Sequence, residues 1–174
     1  NNIYWQIRYQ ANAAGTPIRI GYALRQSGAP FSNASLQGNY VFDLAGRRSS
    51  SAAVATTGLI VSDGAGAMTG MLDRNDHYQM TPVTGQPFTA AYSIAANGRG
   101  TLTSTEPPTT IFYLTGTGKA LLMEGPGSSV QSGTMERQLA APYFTANLIG
   151  QFAAGSSPPA RLVSLSVTGQ NFYD

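Results

Sequence analysis

The chain contains no cysteine, a single lysine (Lys119), a single histidine (His77) and few charges of either sign. Without cysteine there can be no disulfide framework, no thiolate nucleophile and no thiolate metal site. Charged residues make up 10% of the 174 positions, against about 25% in ordinary globular chains. The net charge of +2 is a small imbalance among few groups. No basic block or arginine–aromatic interleaving is present, so nucleic acid is not an expected partner. No apolar run approaches the roughly 18 residues of a membrane-crossing helix, and no membrane-spanning segment is expected.

What is present is glycine, proline and neutral polar residues. The 20 glycines and 10 prolines are scattered as turn punctuation, not gathered into a low-complexity tract. Serine, threonine, asparagine and glutamine dominate the polar positions, a surface common on extracellular proteins. Between the turn signals lie short runs of strand length, of which Leu36 to Leu44 and Phe88 to Ile94 show the period-two alternation of a strand with one buried face. Eight such runs are predicted between residues 29 and 140: Leu36 to Leu44, Ala53 to Ser62, Ala67 to Asp73, Phe88 to Ile94, Gly100 to Ser104, Ile111 to Thr115, Lys119 to Glu124 and Val130 to Gln138. Most connections are of hairpin length, with Asp63-Gly64-Ala65-Gly66 and Asn97-Gly98 as the clearest turns. The stretch Arg74 to Pro87 reads as the longest irregular segment. No segment carries a helical apolar stripe. The expected fold is therefore all-β, an antiparallel up-and-down eight-stranded barrel that leaves no open edges. A two-sheet β-sandwich of the same strands is the alternative.

The chain also resembles itself. Residues 21–40 and 133–152 align without a gap and agree at Gly21/Gly133, Arg25/Arg137, Gln26/Gln138, Ala29/Ala141, Pro30/Pro142, Ala34/Ala146, Leu36/Leu148 and Gly38/Gly150. Eight identities in twenty positions compare with about one expected from average composition. Thr57-Gly58 and Asp63 recur as Thr168-Gly169 and Asp174, one residue short of the same offset. A tandem period near 112 residues follows. Residues 1–28 are then the closing strands of a preceding repeat, 29–140 a complete one and 141–174 the first strands of a following one. The incomplete ends are expected to be completed by more of the same polypeptide, or by strands of neighbouring subunits.

Candidate chemistry is sparse. His77, within Asp73-Arg74-Asn75-Asp76-His77-Tyr78, could act as a general base or metal ligand with Asp73 or Asp76 orienting it. A polar loop explains the same residues. Asp63-Gly64-Ala65-Gly66 lacks the donor spacing of a calcium loop. Glu106, Glu124 and Glu136 are separated by turns and strands, with no paired spacing for glycoside chemistry. Gly116-Thr117-Gly118-Lys119 lacks the glycine spacing and following helix of a phosphate loop. Tyr4, Trp5, Tyr9, Tyr40, Phe42, Phe88, Tyr92, Phe112 and Tyr113 are expected in a core, or lining a cavity for a small apolar ligand or a glycan. Asn33-Ala34-Ser35 matches a glycosylation sequon. No catalytic, cofactor-binding or metal residue is singled out.

Taken in order, Leu36-Gln37-Gly38-Asn39-Tyr40, Ser62-Asp63-Gly64-Ala65-Gly66, Asn97-Gly98-Arg99-Gly100-Thr101, Lys119-Ala120-Leu121-Leu122 and Glu136-Arg137-Gln138 resemble the tandem repeat of large secreted bacterial surface proteins. That resemblance implies β-rich, lipocalin-like units without assigned enzymatic activity. It leads to the expectation of a non-enzymatic extracellular protein that builds a surface fibre, appendage or matrix, partnered by further copies of the repeat. A cell-surface module binding a small ligand or carbohydrate is the alternative.

Overall fold

The computed structural model describes residues 5–8, 20–48, 53–76, 81–104, 109–116, 118–125, 129–138, 150–155 and 162–167. The chain divides into two compact units, Asn1–Gln138 and Leu139–Asp174. In the first, β1 (Trp5–Arg8) pairs antiparallel with β2 (Ile20–Ala23). One turn of 3₁₀ helix, Asn33–Leu36, precedes β3 (Gly38–Arg48). There follow β4 (Ala53–Ser62), β5 (Ala67–Asp76), β6 (Val83–Ile94), β7 (Arg99–Ser104), β8 (Thr110–Gly116), β9 (Lys119–Glu124) and β10 (Ser129–Arg137). These eight, each antiparallel to the next, close into a barrel when β10 returns to β3 along nine residue pairs, from Ser129↔Arg48 to Arg137↔Tyr40. The expected up-and-down barrel is what the chain forms, and not the sandwich. The described residues of the second unit form a hairpin, β11 (Gly150–Gly155) with β12 (Leu162–Val167).

Alternation decides which side chains fill the barrel. Tyr40, Phe42 and Leu44 of β3 point inward and are buried, while Val41, Asp43 and Ala45 point out. The same rule buries Ile60, Met68, Leu72, Phe88, Tyr92, Leu102, Phe112, Leu114, Leu122 and Met135 in one continuous core. Eight strands enclose little room, and three glycines make space for three rings. Phe42 pairs across the strands with Gly58, Phe88 with Gly70 and Phe112 with Gly100. A Cβ on any of these glycines would strike the ring of its phenylalanine partner. Phe42 and Phe88 then meet edge to face, with centroids 6.4 Å apart and planes at 85°, the arrangement that aromatic quadrupoles favour.

Two expectations need correction. Leu36 does not open a strand; it ends the 3₁₀ turn and drops into the core at 1% exposure. The stretch expected to be irregular, Arg74 to Pro87, is mostly strand, since β5 runs on to Asp76 and β6 begins at Val83. Within this stretch Pro87 cannot donate to a ladder. Among the described residues, however, β7 reaches β6 only from Ala90 onward, and the described neighbour at Pro87 is β5. Two residues further on, the Thr89 carbonyl accepts the Ser104 hydroxyl on the β7 side. Alternation therefore turns Pro87 to that same side, where a missing N–H blunts an edge. A register shift between Leu72 and Arg74 absorbs the bend.

Candidate functional site

The barrel has two chemically different ends. At one, the segment from Leu24 to Gln37 lies across the mouth. Gln26 Nε2 donates to the Asn97 carbonyl at 2.9 Å and the Leu114 carbonyl at 2.7 Å, tying the β6–β7 turn to the end of β8. The Ser27 amide donates to the Thr115 carbonyl. The chain then turns through a cis Ala29–Pro30 bond, and Phe31 enters the mouth with its amide on the Ala96 carbonyl. Ser32 opens the 3₁₀ turn, its amide donating to Ser35 Oγ. Asn33 fastens this turn at two points: Nδ2 donates to the Ala65 carbonyl, and Oδ1 accepts the Ile94 amide. Tyr92 donates to the Asn33 carbonyl and accepts the hydroxyl of buried Ser62. Below it, burial pushes the Tyr40 hydroxyl above its ordinary pKa of 10.0; the Arg137 guanidinium opposes the shift and Tyr92 adds to it.

The other end holds polar side chains inside the barrel. Glu124 is 4% exposed; its Oε2 accepts Ser129 Oγ at 2.7 Å and its Oε1 accepts Gln131 Nε2 at 3.2 Å. Gln131 Oε1 in turn accepts Thr56 Oγ1 at 3.1 Å. Gln131 reaches Thr56 across β3 because Gly46, which faces Gln131 on one side and Val54 on the other, presents no side chain between them. Asp76 and Thr110 are buried at the same end, opposite Val54 and Glu124 in the register. The network satisfies the glutamate and glutamine oxygens in low dielectric, where an unmet acceptor is costly.

Between the two ends the buried side chains of the described strands pack against one another in the interior. A void of about 10 Å³ lies among Phe42, Leu44, Ile60, Phe88, Leu102, Thr110 and Leu122, about one water molecule's worth of space. Binding cavities for small molecules run to about 300 Å³ and more.

The residues singled out from sequence fall as follows. Tyr40, Phe42, Phe88, Tyr92 and Phe112 are core, as expected. Tyr113 is not; as an odd-numbered residue of β8 it points outward and is 47% exposed. Tyr4, Tyr9, His77 and Glu106 lie outside the described residues, and the Trp5 side chain with them. Asp73 accepts the Gly85 amide. Asp63 Oδ1 accepts the amides of Ala65, Gly66 and Ala67, so this turn spends its carboxylate on backbone donors. Those donors, Ala65 and Ala67 foremost, hold the Asp63 carboxyl below its usual 3.8. Asn33 donates its side-chain nitrogen, the atom that a sequon offers for glycosylation, to the Ala65 carbonyl. Gly116 to Lys119 is the β8–β9 turn, with strand and not helix after it. Glu136 ion-pairs with Lys119 on the outer face at 2.9 Å, both more than half exposed, a contact of small energetic value.

No group of three or more His, Cys, Asp or Glu among the described residues could hold a metal ion. No helix among them is long and apolar enough to cross a membrane. Comparisons with protein-family models, curated proteins and solved structures found no match.

Proposed function

We propose that this chain is a non-enzymatic structural protein of the cell exterior, built from tandem β-barrel repeats into a surface fibre, appendage or matrix. The observation that carries the reading is where the recurring residues sit. Gln26, Pro30 and Leu36, which return as Gln138, Pro142 and Leu148, belong to the segment that closes the mouth of the barrel, and Gly38, which returns as Gly150, opens the strand that follows it. A binding or catalytic role would favour recurrence around a pocket. Here recurrence follows the linker that leaves one repeat and caps the next. The β1–β2 hairpin agrees with this: an antiparallel hairpin with Gly21 on its second strand precedes the cap, as the β9–β10 hairpin with Gly133 on its second strand precedes Gln138. The packed interior supports the structural reading over a small apolar ligand held inside the barrel.

Immunogold labelling of intact, unpermeabilised cells of the source organism tests the proposal. Label on extended material outside the cell, lost on deletion of the coding sequence, is the expected result. Label reached only after lysis overturns it.

A further inference from the structure

The outer wall of the barrel is not uniformly polar. Following the strand register around it, Val41 of β3 lies beside Leu59 of β4, Leu59 beside Met71 of β5, and Met71 beside Pro87 of β6. This makes an unbroken apolar row across four strands. Val41 is 43% exposed and Met71 52%. A second apolar block lies on β8 and β9, where Ile111 pairs with Met123 and Tyr113 with Leu121. Met123 is 50% exposed and Tyr113 47%.

Polar staves separate the two. Thr89 and Ser93 of β6 with Arg99, Thr101 and Thr103 of β7 lie on one side, and Ser132, Thr134 and Glu136 of β10 on the other, with Val130 at the start of β10, 71% exposed, as the apolar exception. Strand order β10-β3-β4-β5-β6-β7-β8-β9 sets β4–β5 four places from β8–β9, so the patches face opposite directions. Their rims differ in charge. The row next to the first patch is Asp43–Thr57–Asp73, with a carboxylate at each end. The second patch has Arg99 directly opposite Tyr113, and Lys119 as the next outward residue before Leu121. Lys119 already meets Glu136, so Arg99 carries most of the positive rim. A lipid-facing wall would be apolar all the way round, and this one is interrupted on both sides.

We infer that the two patches are the front and back of one interface, through which the barrel stacks against a second copy of this barrel. The acidic-rimmed row Val41–Leu59–Met71–Pro87 of one copy would sit on the basic-rimmed block Ile111–Tyr113–Leu121–Met123 of the next. The inference rests on the structural reading above for the abundance of copies, but its geometry is independent of where the protein resides. Because the patches differ and oppose each other, the contact is head-to-tail and open-ended. A self-complementary dimer is not what it builds. Such side-by-side stacking would add a lateral direction to the chain direction of the repeats.

The test is sedimentation of the whole chain with two variants, Met71→Asn on one patch and Met123→Asn on the other. The wild type is expected to gain average mass steadily with concentration, more so at low salt. Each variant alone should associate about tenfold more weakly, the effect of losing one apolar anchor. Each variant keeps one intact patch, so an equimolar mixture should stop at a one-to-one dimer of wild-type affinity. A wild type that stays monomeric overturns the inference, as does either variant associating as well as the wild type. Variants that lower the melting temperature without changing mass also overturn it, because the patch is then covered by a segment of the same chain. None of these failures bears on the labelling experiment, which can still place the protein outside the cell.

Discussion

The two mouths of the barrel are closed by opposite means. One is sealed from outside by a strap of backbone, held through Gln26, Asn33 and two buried plugs, Phe31 and Leu36. The other is filled from within by side chains of the barrel strands themselves, Thr56, Gln131, Glu124 and Ser129. The strap comes from sequence ahead of the barrel, so this mouth depends on how the preceding strand enters. The polar mouth depends only on the barrel closing. The strapped mouth thus depends on sequence outside the barrel strands, and the polar mouth is self-sufficient.

The largest test of this contrast is the plug. Leu36→Ala removes an almost fully buried side chain from the strapped mouth, and leucine-to-alanine changes at such sites cost about 2–5 kcal/mol. Urea denaturation should show that loss, with the barrel's circular dichroism intact below the transition. A loss under about 0.5 kcal/mol, the scale of an ordinary surface substitution, would mean that the strap does not plug the barrel.

Sequence made the wall of the barrel legible and its mouths much less so. The runs Ala53–Ser62 and Lys119–Glu124 coincide with β4 and β9, because the turn signals on either side bound them closely. Recurrence pointed to Gln26, Pro30 and Leu36 but could not say what they dock on; Asn97 and Leu114 are 71 and 88 residues away from Gln26. The polar network was invisible. Thr56 and Gln131 are 75 residues apart and meet only because β10 returns to β3. Glu124 was noticed as a carboxylate, yet nothing local to it reveals Gln131. Tyr113 was misplaced because an aromatic residue suggests a core, whereas the phase of β8 had already committed Phe112 to the inside.

A smaller effect separates the hydrogen bonds at the two mouths. Gln131→Ala strips Glu124 and Thr56 of a buried partner, which costs about 1–3 kcal/mol. Gln26→Ala frees two carbonyls at a site where the glutamine itself is exposed and water can replace it, so about 1 kcal/mol or less is expected. Chemical denaturation of both variants side by side gives the order. A Gln26 variant less stable than the Gln131 variant would invert the account of which mouth is self-sufficient.

The smallest effect concerns the turn on which the strap rests. Asn33 of the strap donates to the Ala65 carbonyl, and Ala65 sits in the loop that Asp63 folds by accepting three amides. Those amides hold the Asp63 carboxyl below its usual 3.8, so the folded state favours the ionised form more than the unfolded chain does. The sign follows from linkage: the contribution is complete above the unfolded value and is lost as pH falls through the lowered folded value. Asp63→Asn keeps an acceptor oxygen at the same place but removes the charge and its titration. The wild type should therefore be more stable than the variant at pH 7, and the gap should close as pH falls below about 3.8. Paired urea unfolding curves at neutral pH and in acid measure it. A gap that stays constant across that range would show that Asp63 acts only as a turn-forming shape, with its charge irrelevant to the loop beneath the strap.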